Sequence, residues 1–109
     1  MGHQRKYKEA ETILRDLLAR REKTQPAGSA LMAIAYSLLA QPLSDLQKYD
    51  EALALFEKAQ KIYVNAGPVA NQFLPPVLAG IGRVKMGQHK PGEAEGFFRK
   101  ALDLSLIHI

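Results

Sequence analysis

Lys48–Tyr63 reads KYDEALALFEKAQKIY, and close relatives of it occur earlier and later in the same 109 residues. The earlier copy is KYKEAETILRDLLAR, Lys6–Arg20, and the later one is KPGEAEGFFRKALD, Lys90–Asp103. The pairs Glu9-Ala10, Glu51-Ala52 and Glu93-Ala94 stand 42 residues apart at both intervals (51 less 9, and 93 less 51). Self-similarity at one fixed period of roughly 20 to 50 residues marks a repeat architecture, in which each unit buries its apolar face against the next. That signal points to a scaffold without saying what it holds.

Apolar spacing inside and between the copies is helical. Ala10, Ile13, Leu14, Leu17 and Leu18 draw one stripe at three- and four-residue steps, predicting a first helix over about Tyr7–Lys23 after a polar Met1–Lys6. Pro26 and Gly28 mark a loop, and Ser29 is placed to cap a second helix over about Ala30–Gln41. Pro42 should end or kink that helix because it has no amide to donate, leaving Leu43–Lys48 as a tail or turn. Asp50 is expected to cap a third helix, about Glu51–Asn65, with Ala52, Phe56, Ala59 and Tyr63 on one face. Gly67-Pro68 stops it. Pro76 fits the first turn of a fourth helix reaching Met86, preceded by a turn or short helical lead-in over Val69–Leu74; one longer, kinked helix is the alternative. A fifth helix, about Glu93–Leu104, turns Ala94, Phe97, Phe98, Ala101 and Leu102 inward.

A period of 42 alone suits HEAT or armadillo arrays, whose units run about 40 to 47 residues. The residues favour another family. Ala-x3-Phe-x2-Ala occurs as Ala52, Phe56, Ala59 and again as Ala94, Phe98, Ala101, with a looser version at Ala10, Leu14, Leu17. An apolar residue followed by a small one, Leu39-Ala40 and Ile81-Gly82, lies twelve residues before each pattern (52 less 40, and 94 less 82). Together these resemble the tetratricopeptide repeat, in its long kinesin-light-chain-type variety. The resemblance covers about Tyr7–Leu104 and implies an all-α, right-handed helical-hairpin solenoid of about five helices and two and a half repeats. Lys85 stands where an aromatic or aliphatic residue is usual, with Leu43 at the matching place one unit earlier. The inner-face asparagines of the kinesin-light-chain variety are missing, so its ligand class does not carry over.

Composition agrees with an ordinary globular chain: 47% apolar, 24% charged, and no cysteine for disulfides or thiolate metal sites. Lack of cysteine fits a reducing compartment, and no leader-like segment opens the chain, so the cytoplasm is the expected location. The longest apolar run, Ala30–Ala40, is far short of the about 20 residues that cross a bilayer, which argues against a membrane role. The net charge of +4 arises mainly in residues 1–25, where seven bases are interleaved with four acids. Interleaving suits a solvated helix face better than a phosphate-binding surface and argues against a nucleic-acid partner.

Chemistry-bearing motifs are missing. Gly82–Gly87 has the gap of a phosphate loop, but Gln88 stands where the lysine should be and no strand precedes it; helix packing at Gly82 and a turn at Gly87 explain these glycines. His3, His89 and His108 share no helical face, and no serine lies near a histidine in a nucleophile motif. Neither catalysis nor a cofactor is expected, and Glu51 and Glu93 read as first-turn acids favoured by the helix dipole.

The resemblance instead implies a protein or peptide ligand on the concave side, lined by the first helix of each unit. With Tyr36, Leu39, Ala40 and Leu43 toward the core, Ser37, Leu38 and Gln41 face the groove; their equivalents are Ala79, Gly80 and Arg83, with Met86 one turn further. These do not match the lysine-and-asparagine clamp by which some tetratricopeptide domains hold a C-terminal carboxylate. A regulatory array attached to a signalling enzyme or transcription regulator is the alternative setting for the same module.

Two features bear on the ends. Met1-Gly2 before KYKEAE parallels Met86-Gly87 before KPGEAE, so the chain opens in mid-unit. The final LSLIHI resembles a translated transposon-type sequencing adapter; residues 1–103 are therefore expected to be a piece of a longer array, and 104–109 a non-native tail. Uncovered end helices should make the isolated chain marginally stable and prone to self-association.

Overall fold

The computed structural model describes residues 2–107, with side chains from 4 to 106. Met1, His108 and Ile109 lie outside the described residues, and so do the side chain of His3 and part of the 104–109 tail. Five α-helices follow one another: α1 Gly2–Thr24, α2 Ala30–Asp45, α3 Tyr49–Asn65, α4 Leu74–Gly87 and α5 Pro91–Ile107, with a 3₁₀ helix, Pro68–Phe73, leading into α4. Among the described residues there is no strand. α2 pairs with α3 and α4 with α5 as antiparallel hairpins, α1 packs on α2, and α3 packs on α4. The result is a helical-hairpin solenoid measuring 37 × 36 × 22 Å.

The 42-residue period is written into the backbone of the turns. Gln47 and His89 both have positive φ, 65° and 64°, and lie 42 residues apart. The amide of Lys48 donates to the Leu43 carbonyl at 2.8 Å and that of Gln47 to Ser44 at 3.0 Å; Lys90 to Lys85 and His89 to Met86 repeat both distances. This pair of bonds, closing over one left-handed residue, ends a helix by satisfying carbonyls that have no partner within it.

The core forms where the alanine and phenylalanine patterns meet. Ala52, Phe56, Ala59 and Tyr63 of α3 are buried, as are Val77, Leu78, Ile81 and Val84 of α4 and Leu39, Ala40 and Leu43 of α2. Phe56 is 1% exposed. Its ring lies so close to Gly80 that a Cβ there would stand 2.5 Å from it. Phe98, its equivalent 42 residues on, sits over Gly82 in the same manner, with a hypothetical Cβ at 2.7 Å. Glycine at these two positions lets the rings sit directly on the α4 backbone.

Several boundaries differ from the sequence expectation. α1 already includes Gly2 rather than beginning near Tyr7, because HQRK continues a helix even though it adds nothing to the apolar stripe. α2 passes through Pro42 to Asp45. A proline loses one ladder bond, but continuing the helix by one turn carries Leu43 to full burial, a gain of about 2 kcal/mol. Lys48, not Asp50, occupies the α3 cap position and makes no side-chain bond to it; Asp50 falls in the first turn. Ser29 does cap α2, its hydroxyl accepting the Met32 amide at 3.3 Å. Pro75 and Pro76 occupy the start of α4, and the segment before it is the separate short lead-in rather than one kinked helix.

Three residues placed inward by their stripes face water instead: Ile13 is 67% exposed, Leu102 59% and Phe98 38%. All three are on α1 or α5. Helical spacing aims a side chain, but only a neighbouring helix can bury it, and the outer sides of these two helices have none among the described residues.

Candidate functional site

α2 is apolar on nearly all sides, whereas a helix covered on one side carries polar residues on the other. Its core side holds Met32, Leu39, Ala40 and Leu43. Its far side carries Leu31, Ile34 and Leu38, all substantially exposed, followed by Gln41. The 3₁₀ helix places Phe73 opposite this stripe, where its ring stacks on Tyr63 with centroids 5.4 Å apart and planes at 25°. Burial of Tyr63 pushes its hydroxyl pKa above the ordinary 10.0.

Between these surfaces lies a groove with two parts. The larger, about 140 Å³, is walled by Ile34, Ser37, Leu38, Phe73 and Val77, with Phe56 and Tyr63 beneath. The smaller, about 80 Å³, continues along α2 and α4 and is lined by Gln41, Ser44, Asp45, Gly80 and Arg83. Gln41 and Phe56 touch both parts. The first part carries no ionisable wall residue except Tyr63. The second sets an acid and a base on opposite helices, and among the described residues neither Asp45 nor Arg83 is in any of the ion pairs.

Of the residues expected at the groove, Ser37, Leu38, Gln41, Gly80 and Arg83 line it. Ala79 does not: it lies one 100° step back from Gly80 and is half-buried against the core. Met86 is exposed beyond the end of the groove. Sequence reasoning missed Ile34 and Phe73. Ile34 precedes Leu38 by one helical turn and could have been found by extending the stripe backwards, but Phe73 is positioned by a 3₁₀ segment whose path no periodicity encodes.

Charge on other surfaces is spent on holding helices together. Arg15 of α1 bonds Glu51 of α3 at 2.7 Å and Glu11 at 2.8 Å, and Lys48 reaches Glu11 at 3.0 Å. Partial burial opposes ionisation of Glu11, but the bonds from Lys48 and Arg15 prevail and hold its carboxyl below the ordinary 4.5. Bonds from Glu51 and Glu11 raise the Arg15 pKa. Lys85, half-buried, pairs with Glu93 at 3.4 Å. The first-turn acids Glu51 and Glu93 thus also bridge helices. Among the described residues no group of three or more His, Asp or Glu is close enough to hold a metal ion, and no helix is long and apolar enough to cross a membrane.

Comparison with known proteins agrees with this architecture. The family model described as tetratricopeptide repeat matches residues 2–65, from α1 through α3. No match was found among curated proteins or among solved structures. α4 and α5 repeat the same alanine–phenylalanine–alanine pattern and the same turn beyond the matched segment. The match covers more than half of the 109 residues, and with the hairpin geometry it leads to one conclusion: the chain belongs to the tetratricopeptide repeat family.

Proposed function

We propose that this chain is a non-catalytic interaction module that binds a protein or peptide in the groove between α2 and α4. Repeats of this family generally serve protein–protein interaction. The observation that carries the reading is the exposed pair Ile34 and Leu38, facing Phe73 across a concave channel. Contiguous apolar surface of this kind, rimmed by polar groups, is where soluble domains meet partners. Ser37, Leu38, Gln41, Gly80 and Arg83 form the contact set, and Ile34 and Phe73 join it. Cytoplasmic location and service within a larger protein are consistent with the module, whose 1–103 segment repeats throughout.

The test is to substitute Leu38→Asp and Phe73→Ser and measure partner capture alongside thermal unfolding. Leu38 is 39% and Phe73 44% exposed, so each change should cost about 1–2 kcal/mol of stability and leave the chain folded, and the account predicts loss of binding at temperatures where unfolding is absent. Binding that survives both changes would place the site elsewhere.

A second mode, self-association, is favoured by Phe98 and Leu102 on the outer side of α5. It predicts concentration-dependent light scattering that Phe98→Ser with Leu102→Ser abolishes.

A further inference from the structure

The two parts of the groove differ in chemistry, and each describes one end of a small molecule. The smaller part is polar: Gln41, Ser44 and Asp45 line it from α2 and Arg83 from α4. Among the described residues, none of these four side chains makes a hydrogen bond or an ion pair to the rest of the protein. Asp45 and Arg83 reach the same notch from opposite helices and do not bond to each other. One side of it therefore offers an anion and the other a cation.

The larger part carries no charge. Ile34, Leu38 and Val77 wall it, and the stacked rings of Tyr63 and Phe73 close one side. Its volume of about 140 Å³ suits one six-membered aromatic ring, since an apolar cavity of roughly 150 Å³ holds benzene. Ring faces and edges beside the space favour an aromatic guest over an aliphatic one of equal size. Mostly apolar clefts with a few convergent polar groups are the ordinary form of small-molecule sites.

Gln41 and Phe56 line both parts, so the two spaces adjoin. Along α4 they are centred about five residues apart, near the level of Val77 and beyond Gly80, or roughly 7–8 Å at the helical rise. In phenylalanine the ring centre stands about 5 Å from the ammonium and carboxylate atoms by standard bond lengths. The long Arg83 side chain covers the remainder. A free α-amino acid carries both of those groups on one carbon and holds both charges at neutral pH, whereas a residue within a polypeptide carries neither.

We propose that the groove binds a free aromatic α-amino acid, its ring between Leu38 and Phe73, its ammonium on Asp45 and its carboxylate on Arg83. The planar guanidinium suits a carboxylate, and the ammonium brings donors for Asp45 and Gln41. This site stands apart from the partner reading, although a bound amino acid would occupy the channel that a protein partner enters and compete with it.

The test is titration of the ¹⁵N-labelled 109-residue chain with L-phenylalanine, followed by heteronuclear NMR. A Kd of roughly 0.1–1 mM is expected, with the largest shifts at Phe73, Val77, Gly80 and Arg83. Phenethylamine lacks the carboxylate and hydrocinnamate lacks the ammonium, so each should bind about threefold to tenfold more weakly. N-acetyl-L-phenylalanine amide, which has the ring and neither charge, should be weaker than both. Arg83→Met should reduce the affinity for L-phenylalanine to about that of phenethylamine, and Asp45→Asn to about that of hydrocinnamate. Equal binding of the N-acetyl amide and the free amino acid overturns the proposal. So do shifts confined to other faces, losses shared alike by all four compounds in both variants, or no shift at about 10 mM, where such a site is nearly filled. The partner reading is decided separately, by capture with Leu38→Asp.

Discussion

The hairpins α2–α3 and α4–α5 carry the same alanine, phenylalanine, alanine pattern, the same left-handed turn and the same antiparallel pairing, yet their rings meet different surroundings. Phe56 lies between its own hairpin and the glycine backbone of α4, and is sealed. Phe98 rests on Gly82 of its own hairpin, and its outer side is open. The pattern fixes which way a ring points; the next hairpin supplies most of the energy that the ring contributes. Stability in this chain is therefore concentrated at the α3–α4 junction and thins toward α1 and α5, as nearest-neighbour coupling in stacked repeats requires.

That contrast is open to direct attack. Phe56→Ala should cost about 3–5 kcal/mol, since it empties a sealed site. Phe98→Ala should cost about 1–2 kcal/mol, since part of that ring is already in water. Urea unfolding midpoints measure both, and equal losses would break the contrast.

Gly80→Ala and Gly82→Ala sharpen it. Each gains up to about 1 kcal/mol of helix propensity and each forces a ring aside. The Phe56 ring has nowhere to go, so Gly80→Ala should lose a net of about 1–2 kcal/mol, whereas Phe98 can swing outward and Gly82→Ala should be close to neutral. Differential scanning calorimetry separates the two.

Gln47→Gly and His89→Gly probe what the hairpins share. Both residues hold left-handed backbone that costs an L-residue about 1 kcal/mol or more, so each change should raise stability by about 0.5–1 kcal/mol. A gain at one turn without the other would show that the turns are not equivalent.

The smallest effect is expected at Glu11, which pairs with Arg15 and with Lys48, whereas its α5 equivalent Glu95 pairs with Arg99 of its own helix alone among the described residues. The Glu11 carboxyl is held below 4.5 in the folded chain, so its contribution is complete above that unfolded value and fades as pH falls through the lower folded one. Glu11→Gln should cost less than about 1 kcal/mol at pH 7, and the difference from the parent chain should vanish under acid. A pH series of melting temperatures checks the sign.

Much of this was legible in the residues. The 42-residue period and the positions of Ala52, Phe56 and Ala59 follow from spacing alone, because side-chain direction on a helix is set locally. Burial is not local, which is why Ile13, Phe98 and Leu102 were aimed correctly but do not reach a core. Pro42 misled for a related reason: its penalty is local, but the burial of Leu43 and of the Pro42 ring itself, which offsets it, depends on neighbouring helices. The groove was half legible. Ser37, Leu38, Gln41 and Arg83 come from helical phase, Ala79 was one residue out of phase, and Phe73 depends on the path of a 3₁₀ turn. Left-handed Gln47 left no trace, since glutamine does not favour that conformation; histidine is enriched there among non-glycine residues, so His89 was the fainter signal available.

One measurement bears on both the stacked hairpins and the open groove: solvent paramagnetic relaxation of the chain labelled with ¹⁹F-phenylalanine, at a concentration where it is monomeric. The account predicts that the Phe56 resonance is untouched by a soluble gadolinium chelate while Phe73 and Phe98 broaden strongly. A solvent-accessible Phe56, or a Phe73 shielded without any partner, would contradict it.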